Sequence, residues 1–123
     1  GDSGSLLLGF IISFYIIFIA NKNLIHPILI AWLIVIFVYE FIAINLIRLK
    51  AGKGLFIAGK DHLHHILLKK TKSIFNTNLI MFSLNIALFF AGYLSFLFIN
   101  PITSLILYIV LFVLFFMYRN KYK

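Results

Sequence analysis

Four apolar runs of roughly bilayer length, interrupted once by a charged stretch, constrain this chain more than any other feature. The apolar runs cover about residues 4–20, 28–47, 79–99 and 102–118, and the charged interval covers residues 48–75. At a helical rise of about 1.5 Å per residue, such runs match a hydrocarbon core of about 30 Å. The sequence therefore predicts an all-α polytopic membrane protein with about four transmembrane helices and a polar loop that carries a short helix.

Composition supports the membrane class and excludes several kinds of chemistry. Hydrophobic residues make up 63% of the 123 residues, whereas soluble domains contain about 45–50%. The absence of cysteine excludes disulfides, thiolate nucleophiles and cysteine–zinc sites. The net charge of +8 comes from basic residues at the ends of apolar runs, which indicates contact with membrane lipid and predicts no nucleic-acid partner.

The distribution of Lys and Arg predicts the orientation of the chain. Seven of the eleven basic residues lie in residues 48–72 and three lie in the carboxy-terminal tail, whereas the two opposite connections contain only Lys22. Because basic loops favour the cytoplasmic side, the central loop and both termini are predicted to be cytoplasmic in the inner (plasma) membrane. This arrangement places Asp2 and the central loop on one side of the membrane.

The central loop contains a histidine cluster. We expect Asp61 to cap a short helix whose first turn contains His62, His64 and His65, with His62 and His65 on one face and His64 pointing elsewhere. The free N–H groups of a helix start, together with Lys60, suit a phosphate or diphosphate. A solvated interfacial loop is the alternative, and zinc lacks a third ligand at a useful spacing.

Two carboxylates near or within the apolar runs are further candidates. Asp2, in Gly1-Asp2-Ser3-Gly4-Ser5, is either a Mg²⁺ ligand or a helix cap. Glu40 lies inside the second run, where it serves either as a site or relay carboxylate or as a hydrogen-bonding group between helices. A small four-helix transporter that uses Glu40 is therefore an alternative function.

Several residues predict local structure. Pro27 suits the first turn of the second span, and Trp32 is predicted to be an interfacial anchor. Residues 76–78 are predicted to cap the third span, and Asn85 is predicted to be a packing group.

A family resemblance follows from the order of these features. Gly1-Asp2-Ser3-Gly4-Ser5-Leu6 is followed by an acid in the second span and then by His62-Leu63-His64-His65; the intervening loop supplies Arg48, Phe56 and Lys60. This order resembles the polyprenyl-phosphate N-acetylhexosamine-1-phosphate transferases of glycosyltransferase family 4. The family includes undecaprenyl-phosphate GlcNAc-1-phosphate transferases and phospho-MurNAc-pentapeptide translocases.

The resemblance implies a function and a set of site residues. It implies transfer of a sugar 1-phosphate from a UDP-sugar to polyprenyl phosphate during cell-envelope polymer synthesis. The implied cofactor is Mg²⁺, with Mn²⁺ as an alternative, and Asp2 is the implied metal ligand. By the same resemblance, the catalytic and substrate-binding residues are Asp2, His62, His64, His65, Arg48, Phe56, Lys60 and Asp61.

The chain resembles only the carboxy-terminal third of such an enzyme. The family's amino-terminal part, with its Asp-Asp motif and its Asn/Asp-rich loop, has no counterpart in this sequence. We therefore expect this chain to be inactive alone and to complete its site with that missing part. A homodimer is left open.

Overall fold

Helices form all the regular secondary structure in the described part of the chain. The computed structural model describes residues 2–52, 54 and 62–121, without the side chains of Asp2 and Ser5. The predicted all-α class is confirmed for these residues, none of which lies in a strand. In chain order the helices are α1 (Asp2–Asn21), α2 (Pro27–Leu33), α3 (Val35–Lys50), α4 (Leu63–Thr71), α5 (Ile74–Phe98) and α6 (Pro101–Lys121).

The helices differ in their capacity to cross a membrane. α5 and α6 are each long and apolar enough to span one, whereas the apolar part of α1, Leu6–Asn21, is shorter. α2 and α3 are long and apolar enough to span a membrane only when they are taken together. The two helices are bent by 77° relative to each other, as in a broken span or a re-entrant loop. The described residues therefore offer two candidate spans, or three if the bent pair is one span, and the predicted count of four is not confirmed.

Polar residues define where α2 and α6 begin. The Nδ1 atom of His26 accepts the N–H of Ile28 at 3.3 Å, and Pro27 occupies the first turn as predicted. At α6, the Oδ1 atom of Asn100 accepts the N–H of Thr103 at 2.7 Å. Both helices thus start at a side-chain cap followed by proline, which needs no backbone donor there.

The start of α5 corrects a prediction. Its cap is Ser73, whose Oγ accepts the N–H of Asn76 at 3.4 Å, so the helix begins at Ile74 and not near residue 79. Residues 76–78 lie inside the helix. Thr77 is buried there, and its hydroxyl donates to the Ser73 carbonyl at 2.9 Å, which bonds the residue back to its own helix.

The core forms where α2 and α3 pack against α5 and α6 around Trp32. The Trp32 side chain is fully buried, and its indole N–H donates to Ser104 Oγ at 2.9 Å. Ser104 Oγ in turn donates to the Gly92 carbonyl at 2.9 Å. The prediction of an interfacial anchor is therefore wrong, because Ser104 gives the indole N–H a partner inside the helix packing.

The bend between α2 and α3 has a specific cause. Ile34 at the break has φ −113° and ψ 23°, which lies outside helical values. The Asn85 side chain inserts here: its Oδ1 accepts the N–H of Ile36 at 3.2 Å, and its Nδ2 donates to the Leu33 carbonyl at 3.0 Å. One amide thus satisfies a donor and an acceptor that the interrupted helix leaves open, and the bend needs neither Pro nor Gly. The geometry agrees with the predicted packing role of Asn85.

Candidate functional site

The carboxylate of Glu40 connects three helices at the start of α4. Its Oε2 accepts the backbone N–H of Leu63 at 2.6 Å, and its Oε1 accepts the Nε–H of Arg119 at 2.9 Å. Glu40 is 7% exposed and Arg119 is 4% exposed. Glu40, which lies in α3, thereby fixes the beginning of α4 and the end of α6 relative to each other.

The cap of α4 differs from the predicted one. The cap residue is His62, in an extended conformation, and its side chain makes no capping hydrogen bond. Glu40 performs that task from another helix, because it accepts the first free N–H of α4 and places negative charge at the positive end of the helix dipole. The predicted cap, Asp61, lies outside the described residues.

These contacts bear on the two interpretations of Glu40. Each carboxylate oxygen already accepts a hydrogen bond from a protein donor, and one of those donors belongs to a buried cation. A coupling carboxylate in a transporter must instead exchange a proton or an ion during each cycle. The geometry therefore favours a structural role for Glu40 and gives no support to the transporter alternative.

The three histidines form one cluster at the start of α4. The ring centroids of His64 and His65 are 4.2 Å apart, those of His62 and His64 are 5.5 Å apart, and those of His62 and His65 are 6.5 Å apart. The expectation that His64 points away from the other two is wrong. His62 lies in the extended segment before the helix, so its ring does not follow helical spacing and stacks on His64 instead.

The surroundings of His64 favour its neutral form. The pKa of His64 is lowered from its usual 6.5, first by partial burial and then by repulsion from His65 and His62, against an opposing effect of Glu40. His62 Nδ1 lies 3.7 Å from Glu40 Oε2, and its side chain is 44% exposed. A neutral imidazole presents one donor and one acceptor, so the cluster can offer several hydrogen bonds within a small volume.

One part of the predicted phosphate site is already occupied. The helix start was predicted to offer free N–H groups to an anion, but the N–H of Leu63, its first residue, bonds to Glu40. The N–H groups of His65 and Ile66 bond to the His62 carbonyl at 3.0 and 3.3 Å. A phosphate at this position would therefore meet imidazole side chains more than backbone donors.

The other end of α4 is also fixed. Lys72 ends the helix in the left-handed conformation, with φ 52°. The hydroxyls of Thr71 and Thr77 lie 2.8 Å apart and join α4 to α5. Because α4 is held at both ends, the histidines lie on a short, anchored element.

An apolar groove opens beside the cluster. It has a volume of about 780 Å³ and lies between the start of α3, the histidine helix and the first half of α5. His64, Asn78 and Asn85 are the polar residues of an otherwise apolar wall. The lining residues are Ile36, Phe37, His64, Phe75, Asn78, Leu79, Met81, Phe82 and Asn85.

The remaining predicted site residues are only partly described. Arg48 lies in the last turn of α3, whereas Phe56 and Lys60 lie outside the described residues. Asp2 is the first residue of α1, and its side chain is also outside the described part. Whether Asp2 joins the histidine cluster therefore stays a prediction.

A metal site is not formed by the side chains that the structure describes. No group of three or more His, Asp or Glu among them could hold a metal ion. Glu40, whose carboxylate is described, is bonded to Arg119 and Leu63. The predicted Mg²⁺ therefore has no described ligand set, and Asp2 remains its expected ligand on the family resemblance alone.

Arg119 is the residue that the sequence analysis missed. Its charge was used only to predict orientation, although a carboxylate inside an apolar span calls for a cationic partner. The basic residues nearest to span ends, Arg48 and Arg119, were the candidates that such a search would have considered. The structure brings Arg119, 79 positions away in sequence, to Glu40.

The described residues form an all-helical protein in which α5 and α6 are long enough to span a membrane and the short helix α4 carries histidines. The chain is similar to the undecaprenyl-phosphate alpha-N-acetylglucosaminyl 1-phosphate transferase of Yersinia pestis, with 35% identity over 72 residues. The match covers 56% of this chain and 20% of that protein, so the chain spans about a fifth of the length of the curated relative. No family model and no solved structure matches the chain. The similarity supports a transferase and a membrane protein in general terms.

Proposed function

We propose that this chain is part of a membrane transferase that moves a sugar 1-phosphate from a UDP-sugar to polyprenyl phosphate. The observation that carries the proposal is the cluster of His62, His64 and His65 on a helix anchored by a buried carboxylate. The similarity to a sugar-phosphate transferase supports the same chemistry. The product would be a polyprenyl diphosphate-linked sugar for a cell-envelope polymer, made at the cytoplasmic face of the inner membrane.

The histidines are proposed to bind the diphosphate or the ribose side of the donor. Three rings within 6.5 Å of each other can donate several hydrogen bonds to oxygen atoms of one ligand. Lys60 is proposed to contact the same phosphate, since it precedes the cluster by two residues. Arg48 and Phe56 belong to the substrate-binding set through the family resemblance.

The acceptor lipid is proposed to enter from the membrane. The apolar groove of about 780 Å³ beside His64 offers a place for part of its hydrocarbon chain. A chain lying there would bring its phosphate end near the imidazoles. Asp2 and Mg²⁺ enter this proposal on the resemblance alone, and the acidic motif of the family would come from a segment outside this sequence.

The test is a set of single alanine variants of the three histidines in the complete enzyme that contains this chain. A hydrogen bond to a charged group contributes about 1.5–3 kcal/mol. Each variant should therefore lower kcat/KM by about ten- to a hundred-fold, and Lys60→Ala should act in the same direction. The measurements are UDP-sugar binding and formation of the polyprenyl diphosphate-linked sugar.

A matched control is available on the same chain. His26→Asn removes an imidazole at the start of α2 but keeps an oxygen that can cap the helix, so turnover should match that of the parent enzyme. Thermal stability in detergent checks that each variant is folded. Normal UDP-sugar binding by all three histidine variants, or stoichiometric zinc that they release, would contradict the proposal.

A further inference from the structure

Arg119 lies at the end of α6, and its Nε donates to Glu40 Oε1 at 2.9 Å in a contact that is almost closed to solvent. The other oxygen of the same carboxylate holds the N–H of Leu63, the first residue of the histidine helix. A continuous chain of two hydrogen bonds therefore runs from the last helix to the start of α4.

The carboxylate is the group that makes this connection possible. It has two acceptor oxygens, so it can accept from Arg119 and from Leu63 at the same time. A glutamine side chain has one acceptor oxygen and would leave one of the two donors without its bond. Removing Arg119 instead would leave a buried carboxylate without its cation, which is strongly unfavourable.

The position of Leu63 explains why loss of the Glu40 or Arg119 contact would move the histidines. Leu63 is 8% exposed and lies between His62 and His64 in the chain. Its N–H bond to Glu40 is short, at 2.6 Å, and fixes the residue at which the extended segment turns into helix. A shift of this residue would move the rings on both sides of it.

We propose that Arg119 is a positioning residue that acts through Glu40 to hold the His62–His65 segment in its binding geometry. This inference rests on the proposed function, because it assigns to the last helix a role in aligning the donor-binding histidines. Arg119 itself need not touch substrate. A plain packing role would predict a loss of stability in all the helices, whereas a positioning role predicts a local effect on α4.

The first measurement is amide hydrogen exchange of the protein in phospholipid nanodiscs, followed separately in α4 and in α5. Arg119→Gln and Glu40→Gln should each speed exchange of the α4 amides by about tenfold or more and change α5 by less than about twofold. Lys121→Gln is the matched control, since it removes a positive charge from the exposed end of the same helix. It should leave exchange in α4 unchanged.

The second measurement is turnover in the complete enzyme. Arg119→Gln should lower kcat/KM by about tenfold or more, and Arg119→Lys should recover part of the loss because it retains the charge but not the planar fork of donors. If Arg119→Gln does not fold, Arg119→Lys is used for the exchange measurement instead. Faster amide exchange confined to α4 then supports the inference, and unchanged exchange in α4 overturns it.

The two proposals fail in different ways. A parent enzyme without sugar-phosphate transfer would refute the proposed function. The exchange measurement alone would then test whether Arg119 holds the start of α4 through Glu40. Exchange that rises equally in α4 and α5, or α4 exchange within about twofold of the parent value, overturns the inference. Faster exchange confined to α4 with unchanged turnover overturns it as well.

Discussion

Replacement of Asn85 by leucine tests how this protein stabilises the bend between α2 and α3. The change removes the acceptor for the Ile36 N–H, now at 3.2 Å, and the donor to the Leu33 carbonyl, now at 3.0 Å. Both backbone groups then lose their partner at a break where the helix supplies none. Water is scarce at such a position in a bilayer, so other partners are few.

The expected loss of stability follows from counting these two bonds. Leaving a buried polar group unsatisfied costs about 1–3 kcal/mol, which gives an upper value of about 6 kcal/mol for the pair. Hydrogen bonds between membrane helices contribute less, about 0.6 kcal/mol on average, because the unfolded state in the membrane also finds partners. We expect the free energy of unfolding to fall by about 2–4 kcal/mol, between these limits.

The assay uses the fluorescence of Trp32, the single tryptophan of the chain. It is fully buried two residues before the break, so its emission should report unfolding as denaturing detergent is added to lipid micelles. Asn85→Asp should not restore stability, since a carboxylate still accepts from Ile36 but cannot donate to Leu33, and its charge has no cation in these apolar surroundings.

Asn78→Leu is the matched control for this prediction. Asn78 lies on the same helix and lines the same groove, but its side chain makes no hydrogen bond among the described residues. Its replacement should change the free energy of unfolding by no more than about 0.5 kcal/mol. If Asn85→Leu is equally harmless, the side chain does not support the bend and our account of it is wrong.

Three further predictions concern packing, protonation and topology. Gly92→Ala should destabilise the protein by about 1–3 kcal/mol, because the added Cβ would lie 2.1 Å from the Trp32 ring. Gly9→Ala is the control, because an added Cβ there meets nothing within 4 Å outside the neighbouring backbone of its own helix; it should be neutral or slightly stabilising. Equal losses of stability for the two variants in unfolding titrations would refute the packing argument. His64 should titrate below 6.5 by ring NMR, and His65→Ala should raise that pKa by removing a repulsive neighbour. Since the folded state then binds the proton less readily than the unfolded chain, the stability contribution of His64 is complete above pH 6.5 and declines as the pH falls below it. Single cysteines introduced at Lys53 and Asn100 should be labelled from the cytoplasmic and the opposite side respectively; labelling of Lys53 from outside would overturn the predicted orientation.

The sequence by itself determined the helical class of this protein and the position of its polar interval, residues 48–75, between the apolar runs. Long apolar runs require backbone groups that bond within the segment, which in a membrane selects helices. Pro27 was correctly predicted in a first helical turn, and the polar interval was correctly predicted to carry a short helix with His64 and His65 in it. The placement of His62 in that helix and the direction of His64 were predicted wrongly. The caps at Ser73 and His62 were missed, since several polar residues compete near each helix start and the tertiary packing decides between them.

Only the tertiary structure decided how distant polar groups pair. Glu40 had two interpretations of equal standing in the sequence, and the contacts with Arg119 and Leu63 distinguish them. Trp32 fits an interfacial position by composition, but Ser104 and Gly92 give it a buried one. No proline or glycine at Ile34 predicts the bend from the sequence. Its cause is the Asn85 side chain, which comes from another helix. These hydrogen bonds join residues 12 to 79 positions apart, and no local pattern along the chain shows which helices will meet.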